Sequence, residues 1–419
     1  MGIDATKLRA PGEVSRVAVT QLLITCVVQV LALSVWFVSS AVLPALKHEW
    51  HITDTAGTVM AVSVQLGFAA GAVVSVLLRL ADRVAPQVLI ALGATAASLS
   101  TLGLVLVDGP AAAYPLRVVT GAALALVYPV GMKVVSSWFG HRGRALAIGS
   151  MIGALALGSL LSPVLAGVVG TAWRGAALTA AAAGVIGAVI AVGLIRVGPE
   201  TARPPAGGLR LADIRADLRR RRPLLVNLGY LGHMWELYAV WAWVPLWLTH
   251  VRFDGGEGAV DPVAAALTTL GFGVFGLIGS VGFGWAAERW SRASVTQSAV
   301  AVSGICCLLS VVAVKAPTPV LAVFLCIWGA AVIGDSALYS TMLSETVDPR
   351  WVGTALTVQT CLGFLLTTVS ISAVPVVAAS TGWSWALVAL ALGPAVSVWA
   401  LGRLRTSPAP GKPILKEIR

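Results

Sequence analysis

The chain has 419 residues, of which 58% are hydrophobic and only 11% charged, with a mean hydropathy of +0.88. Ordinary soluble domains carry roughly 25% charged residues, so this composition excludes a soluble enzyme, a disordered chain and a secreted disulfide scaffold, and leaves an integral membrane protein. The net charge of +11 would suggest nucleic acid in a soluble protein; in a membrane protein it is the Lys/Arg excess of inner loops.

Twelve apolar stretches reach the roughly 20 residues needed to cross a bilayer. They lie near 17–46, 56–79, 87–107, 112–137, 144–169, 173–196, 223–250, 263–286, 295–314, 319–343, 353–378 and 384–402. They are rich in Leu and Ala and do not alternate, which predicts helices and not strands. The first is about twice the length of a signal-peptide apolar region, so no cleavable signal is expected. Gly67/Gly71 and Gly149/Gly153 have the small-xxx-small spacing that lets helices approach closely. Cys26, Cys306, Cys307, Cys326 and Cys361 all fall in apolar stretches without a CxxC pairing, and are expected to pack as small hydrophobes.

With both ends inside, 23 basic residues fall on the inner side: those of the N-terminus, Arg79, Arg83, Arg142, Arg144, the central loop, Arg289, Arg292, Arg350 and the C-terminus. Only Lys47, Arg174, Arg252 and Lys315 fall outside. This asymmetry sets an N-in, C-in topology and removes the nucleic-acid reading. The run Arg219–Arg222 also suits contact with anionic membrane lipid.

A Pro- and Gly-containing basic linker at 197–222 divides the spans six and six, giving units at 1–196 and 223–419, the second with a tail. The halves repeat in sequence. Gly143-x-Ala145-Leu146 returns 210 residues later as Gly353-x-Ala355-Leu356, and Gly153, Ser162, Thr171 and Trp173 match Gly363, Ser372, Thr381 and Trp383 at the same offset. Leu66-Gly67-Phe68 recurs as Leu270-Gly271-Phe272. Parallel repeats with a site at their interface are the architecture of alternating-access carriers.

Local motifs sharpen this. The loop after span 2 carries Asp82-Arg83, and the loop after span 8 reads Gly284-Trp285-Ala286-Ala287-Glu288-Arg289-Trp290-Ser291-Arg292. Span 4 has Arg117-x-x-x-Gly121, and span 5 has Gly158-x-x-x-Ser162-Pro163-x-x-Ala166-Gly167. In these elements the chain resembles the major facilitator superfamily over essentially its whole length. The resemblance implies an all-α membrane fold of twelve helices in two pseudo-symmetric bundles, with spans 1, 4, 7 and 10 lining the central path. It implies that Asp82, Arg83, Glu288 and Arg289 form an inner conformational gate. It gives Gly158 and Pro163 a gating role in span 5, where the pattern is that of antiporters.

Few ionisable residues fall inside the spans: Arg117, Lys133, His233, Glu236 and Asp335. A charge at bilayer depth costs roughly 2.5–3.5 kcal/mol on insertion scales, so each needs a partner, a watery cavity or a route to the surface. Lys133 lies near the inner end and can snorkel. Glu236 lies deep in span 7, one helical turn from His233, which makes it a proton-coupling or substrate-binding acid, or half of a structural Glu–His hydrogen bond. Asp335 in span 10 is a second coupling candidate. Arg117 organises the proton site or binds an anionic substrate. Gln21, Thr25, Gln29 and Trp36 form a polar stripe on span 1, which suits a cavity-facing helix, with helix–helix hydrogen bonds as the alternative. Of these, Thr25, Gln29 and Trp36, with Tyr128, Trp243, Trp328 and Tyr339, are expected to line the substrate cavity.

No GxxxxGK[ST] loop and no GxSxG or HExxH motif occurs, so neither ATP as energy source nor hydrolysis is expected, and no metal or cofactor is called for. The expectation is a multi-pass carrier of the cytoplasmic membrane, acting as a monomer and moving a small-molecule substrate, with protons as the coupling ion and export as the direction. Proton-coupled uptake of an organic anion is the alternative. A non-transporting sensor or assembly factor is the reading of another class.

Overall fold

The structure, a computed structural model, describes residues 15–140, 143–158, 173–199, 211–253 and 260–406. Among these no strand occurs. The long helices are α1 Arg16–Trp50, α2 Asp54–Leu78, α3 Pro86–Val105, α4 Pro110–Trp138, α5 Arg144–Gly158 and α6 Trp173–Leu194, then α7 Arg221–Arg252, α8 Pro262–Arg289, α9 Arg292–Ala313, α10 Thr318–Thr346, α11 Val352–Thr381 and α12 Trp383–Arg405. Each begins within a few residues of its predicted span.

Nine stretches among the described residues are long and apolar enough to cross a membrane, and α2 and α5 add shorter apolar helices at Val62–Leu78 and Arg144–Ala156. The helix left over is α7. It holds Asn227, His233 and Glu236 together with four Trp and two Tyr, which lower its hydropathy. The helix that falls short in apolarity is therefore the one that carries buried His233 and Glu236.

At 35 residues, α1 is about 52 Å long at 1.5 Å per residue, well beyond a hydrocarbon core of about 30 Å. Ser15 caps its start by accepting from the Ala18 amide, and His51 ends it in the left-handed region at φ 50°. In its last turn, Glu49 accepts from the Trp173 indole at 2.5 Å and pairs with Arg174 at 2.7 Å, which fastens the outer end of α1 to the start of α6.

Within the first six helices, α2 packs on α4, and α6 on both α1 and α3. Within the last six, α7 packs on α11 and α12, α8 on α10, and α9 on α10 and α12. The first contact shows why glycine is placed where it is. A Cβ on Gly67 would meet the Val118 carbonyl, one on Gly71 the Ala122 carbonyl, and one on Gly121 the Val64 carbonyl, at 1.9 Å in the last case. The α2–α4 contact repeats as α8–α10, where Gly271 sits on the Leu325 carbonyl. The sequence repeat of Leu-Gly-Phe is therefore also a repeat of packing. The two sets of helices meet along α5–α8 and α2–α11.

The linker is anchored at both ends. At its start, Gln21 of α1 accepts from the Arg196 amide and donates to the Leu194 carbonyl, while Ser137 of α4 accepts from the Gly198 amide. At its end, a short helix at Leu211–Leu218 buries Asp217 under the α10–α11 turn. There Asp217 accepts from the Asp348 amide and the Trp351 indole, each at 2.9 Å, and pairs with Arg220 at 3.1 Å.

Two outcomes follow from this packing. Gly121→Leu forces α2 and α4 apart and is expected to cost about 1–3 kcal/mol or more, read as a lowered Tm. Gly193→Ala, where nothing lies within 4 Å, is expected to hold or raise it. The Trp173 indole, and then the Arg174 guanidinium, hold the Glu49 carboxyl below its ordinary value of 4.5. A depressed carboxyl contributes stability above its unfolded pKa and loses it as pH falls through the folded one. The Tm difference between the wild type and Glu49→Gln is therefore expected at neutral pH and should shrink as the pH drops below 4.5.

Candidate functional site

A small cavity lies between the two sets of helices. Its wall is Tyr128, Ile152, Leu155 and Ala156 from α4 and α5; Tyr230, His233, Met234, Leu237, Tyr238 and Trp241 from α7; Ile333, Ser336 and Ser340 from α10; and Phe364 from α11. It is aromatic and apolar. Among the described residues His233 is the one Asp, Glu, Lys, Arg or His side chain on it.

Two helices of this wall are discontinuous. The fourth is interrupted between Pro110–Leu124 and Tyr128–Trp138, and the tenth at Asp335, between Thr318–Gly334 and Ser336–Thr346. Ala125 and Asp335 stand 210 residues apart, the offset of the sequence repeat. Each interruption turns its next residue, Tyr128 or Ser336, toward the cavity. Paired interruptions in repeated halves mark binding regions in carriers of this type. A broken helix in lipid must have its freed backbone groups satisfied. At the α4 interruption the Val127 carbonyl accepts the Gly131 amide at 2.9 Å and a second bond from Gln29 at 3.1 Å, in space that only a glycine at 131 leaves open.

At the α10 interruption, His233 Nδ1 lies 2.9 Å from Asp335 Oδ1, and both side chains are about 1% exposed. His233 Nε2 lies 3.0 Å from Ser336 Oγ. With Asp335 ionised, its carboxylate can only accept, which puts a proton on the facing Nδ1 and leaves Nε2 of the neutral ring to accept from the Ser336 hydroxyl. A protonated ring would donate from Nε2 instead, and the hydroxyl can turn to receive it. The imidazole lies beside the rings of Tyr339, at 5.5 Å, and Tyr230, at 6.1 Å.

Glu236 does not join His233, although both are on α7. It faces the interior of the second bundle, where Oε1 accepts from Ser303 at 2.5 Å, Trp328 at 3.0 Å and Cys307 at 3.1 Å. This replaces the Glu–His pairing open in the sequence and brings together α7, α9 and α10. It also corrects the reading of Cys307 as a plain hydrophobe. Ser303, Cys307 and Ser310 are spaced four and three apart on span 9, and that stripe was the signal for these partners.

Several expected cavity residues are placed elsewhere. Thr25 donates to the Gln21 carbonyl on its own helix. Trp328 is fully buried by its bond to Glu236. Trp243 donates to the Ile371 carbonyl and packs on Trp383. Tyr339 is fully buried, its hydroxyl bonded to Ser397. In each case a backbone or side-chain partner takes up the polar atom. Gln29 is likewise consumed by α4. Tyr128 does line the cavity. Trp36 stands beside it, packed against Phe364 at 5.0 Å, Phe68 at 5.4 Å and Tyr238 at 6.4 Å. Arg117 is fully buried and donates to the Val35 carbonyl of α1 at 2.9 Å, with Nε and Nη1 unpartnered among the described residues. Lys133 reaches the Ala81 carbonyl at the inner surface.

The inner side is closed across the bundles. Glu288, at the end of α8, accepts from the Gly143 amide at 2.8 Å and the Ala145 amide at 2.9 Å, so it caps the start of α5. Its charge complements the positive end of that helix. Arg292 joins it at 3.8 Å and reaches Glu345 at 3.3 Å. Above them Ser280 donates to the Gly149 carbonyl at 2.8 Å. Arg289, expected here, instead stacks on Trp285 at 3.8 Å. The missed partner is Arg292, one turn from Glu288. Arg83 is exposed, and the short helix Leu80–Arg83 abuts α11. The Asp82 side chain, Pro163 and the surroundings of Gly158 lie outside the described residues.

The Major Facilitator Superfamily model matches residues 25–371. The chain belongs to that superfamily. A curated relative, "MFS-type transporter pytF" of Aspergillus terreus (strain NIH 2624 / FGSC A1156), is 31% identical over 131 residues, 30% of this chain and 42% of that protein. The match thus spans less than half the length of the relative. Among solved structures, the human organic anion transporter MFSD10 (TETRAN) aligns with a TM-score of 0.71 at 15% identity, covering 94% of this chain and 100% of that one. The E. coli fucose:proton symporter FucP aligns at 0.72 and 13% with the same coverage. The proton:xylose symporter XylE aligns at 0.73 and 14%, covering 94% and 97%. At these identities the likeness is one of fold. The chain is a multi-pass membrane protein with the major facilitator fold.

Replacing Glu236 separates its roles as acid and as acceptor. Glu236→Gln keeps a carbonyl for the Ser303 and Trp328 donors and should hold its Tm. Glu236→Leu strands them, at about 1–3 kcal/mol each, and should lower it clearly. At the gate, Glu288→Ala removes charge-assisted bonds worth about 1.5–3 kcal/mol. The ratio of inward- to outward-open molecules is then expected to rise roughly tenfold or more, read by spin-label distances across the inner loops.

Proposed function

We propose that this chain is a proton-coupled secondary transporter of small organic solutes in the cytoplasmic membrane, working as a monomer in the export direction, and that His233 with Asp335 carries the coupling. The units that rock are residues 1–196 and 223–419, joined by the linker 197–222. The observation that carries the reading is the buried His233–Asp335 pair, whose imidazole lies on the wall of the cavity between those units with the carboxyl behind it.

With a neutral ring, the pair holds one net negative charge at bilayer depth. Such a charge costs roughly 2.5–3.5 kcal/mol on insertion scales. A proton taken on Nε2 makes an imidazolium beside a carboxylate and removes the net charge. The Ser336 hydroxyl turns from donor to acceptor at the same time. Closure over a neutral pair and closure over a charged one therefore differ in cost, which is what couples a proton to alternating access. Glu236, with three donors and no place on the cavity wall, holds α7 to α9 and α10. Export rests on the apolar, aromatic wall and on the span 5 pattern in the sequence. One observation favours organic anions as substrates: the unpartnered Nε and Nη1 of buried Arg117.

The test is solute-driven proton movement in proteoliposomes, with a panel of apolar drugs and organic anions and a pH reporter on one side. Proton movement is expected with the wild type and Glu236→Gln, and is expected to be lost in His233→Gln and Asp335→Asn. Coupling that survives in both of the latter variants would overturn the assignment.

A further inference from the structure

Away from the cavity, α2 and α11 touch at mid-membrane and part toward the outer side. At the contact, Cys361 Sγ lies 3.4 Å from the Ala69 carbonyl, and the rings of Phe68 and Phe364 are 4.4 Å apart. Outward of it the helices leave a groove lined by Val62 and Leu66 of α2 and by Thr368, Val369, Ser372 and Val376 of α11. Leu66, Val369 and Val376 are exposed, and in a membrane protein that surface meets lipid.

We propose that this groove is a lateral portal through which an apolar organic solute dissolved in the outer half of the bilayer exchanges with the central cavity, with Phe364 as its inner door. The proposal rests on the transport reading above.

Its chemistry selects the occupant. Among the described residues no charged side chain lines the groove. The Thr368 hydroxyl is turned inward to the Leu365 carbonyl of its own helix. A sugar or an inorganic ion would leave its polar groups unmatched there, at a cost of several kcal/mol in an apolar setting. An aromatic or aliphatic solute loses nothing. The route inward has the same character. Phe364 lies one turn below Thr368 and also forms part of the cavity wall. Its ring packs on Trp36, Phe68 and Tyr238, at 5.0, 4.4 and 5.0 Å. Phe364, one turn from groove-lining Thr368 and itself on the cavity wall, is in this proposal the side chain whose rotation joins the two. Side-chain rotation of this kind needs no movement of the helices.

The test is photolabelling of the full chain in lipid vesicles with a trifluoromethyl-phenyl diazirine, an apolar probe that partitions into bilayers, followed by peptide mapping. Adducts are expected at Leu66, Thr368 and Ser372, and should be lost with excess of the unreactive phenyl analogue. Adducts at Val312 and Val323, exposed on α9 and α10, should persist. In Phe364→Ala, adducts are expected to extend to Tyr238 and Trp241 in the cavity. Groove adducts that resist competition, like those at Val312, would show a surface covered by lipid chains and overturn the proposal. So would a folded Phe364→Ala protein whose cavity stays unlabelled. Should that variant not fold, the competition in the wild type still decides. The readout needs no flux, so it fails or succeeds independently of the proton measurement.

Discussion

The bilayer core offers no water to an unpaired polar atom, and this constraint orders the whole molecule. Most deep polar side chains described above have at least one polar atom placed on a partner from another helix. Gln21 holds the end of α6, Gln29 the interruption in α4, Arg117 a carbonyl of α1, and Glu236 three donors from two other helices. Polar residues here tie helices together, and the apolar remainder fills the space between them. Close approach is then set by glycine, as at Gly121 on Val64.

The His233–Asp335 pair stands out against this background because it borders empty space. Most other buried polar groups are enclosed by helices of their own bundle. This pair sits where α10 is interrupted, opposite the interruption in α4, and Ser336 and Tyr128 face each other's side of the same cavity. Duplication of one six-helix design accounts for the placement. An interruption in the ancestral half appears twice, and joining the halves brings both copies to their interface. Only the second copy holds a carboxylate at its interruption, so the halves share a shape and differ in charge.

Much of this was legible in the sequence. Apolar length gave the helices, arginine placement their orientation, and the constant offset the repeat. The site was legible as a set of residues but not as a set of pairs. His233 and Glu236 share a helix at a spacing of three, yet they point to different neighbours, because α7 is enclosed on several sides and a helical spacing says nothing about what stands opposite. Span 1 shows the same limit. Its glutamines read as cavity lining with helix ties as the alternative, and the deciding fact, a carbonyl at the α4 interruption placed to accept from Gln29, lies almost a hundred residues away. Glu288 does reach across to the start of α5, while its cation is Arg292, since Arg289 has a tryptophan to stack on.

The inner gate has a property that follows from what Glu288 binds. Its partners are backbone amides of residues 143 and 145, and every amino acid except proline supplies that donor. The two hydrogen bonds therefore need no side-chain donor at the start of α5. What constrains the two positions is backbone and packing: Gly143 sits at φ 85°, where glycine is favoured, and Ala145 is fully buried against Ala287 and Leu338, so a small residue is required at each for reasons separate from the acid it serves.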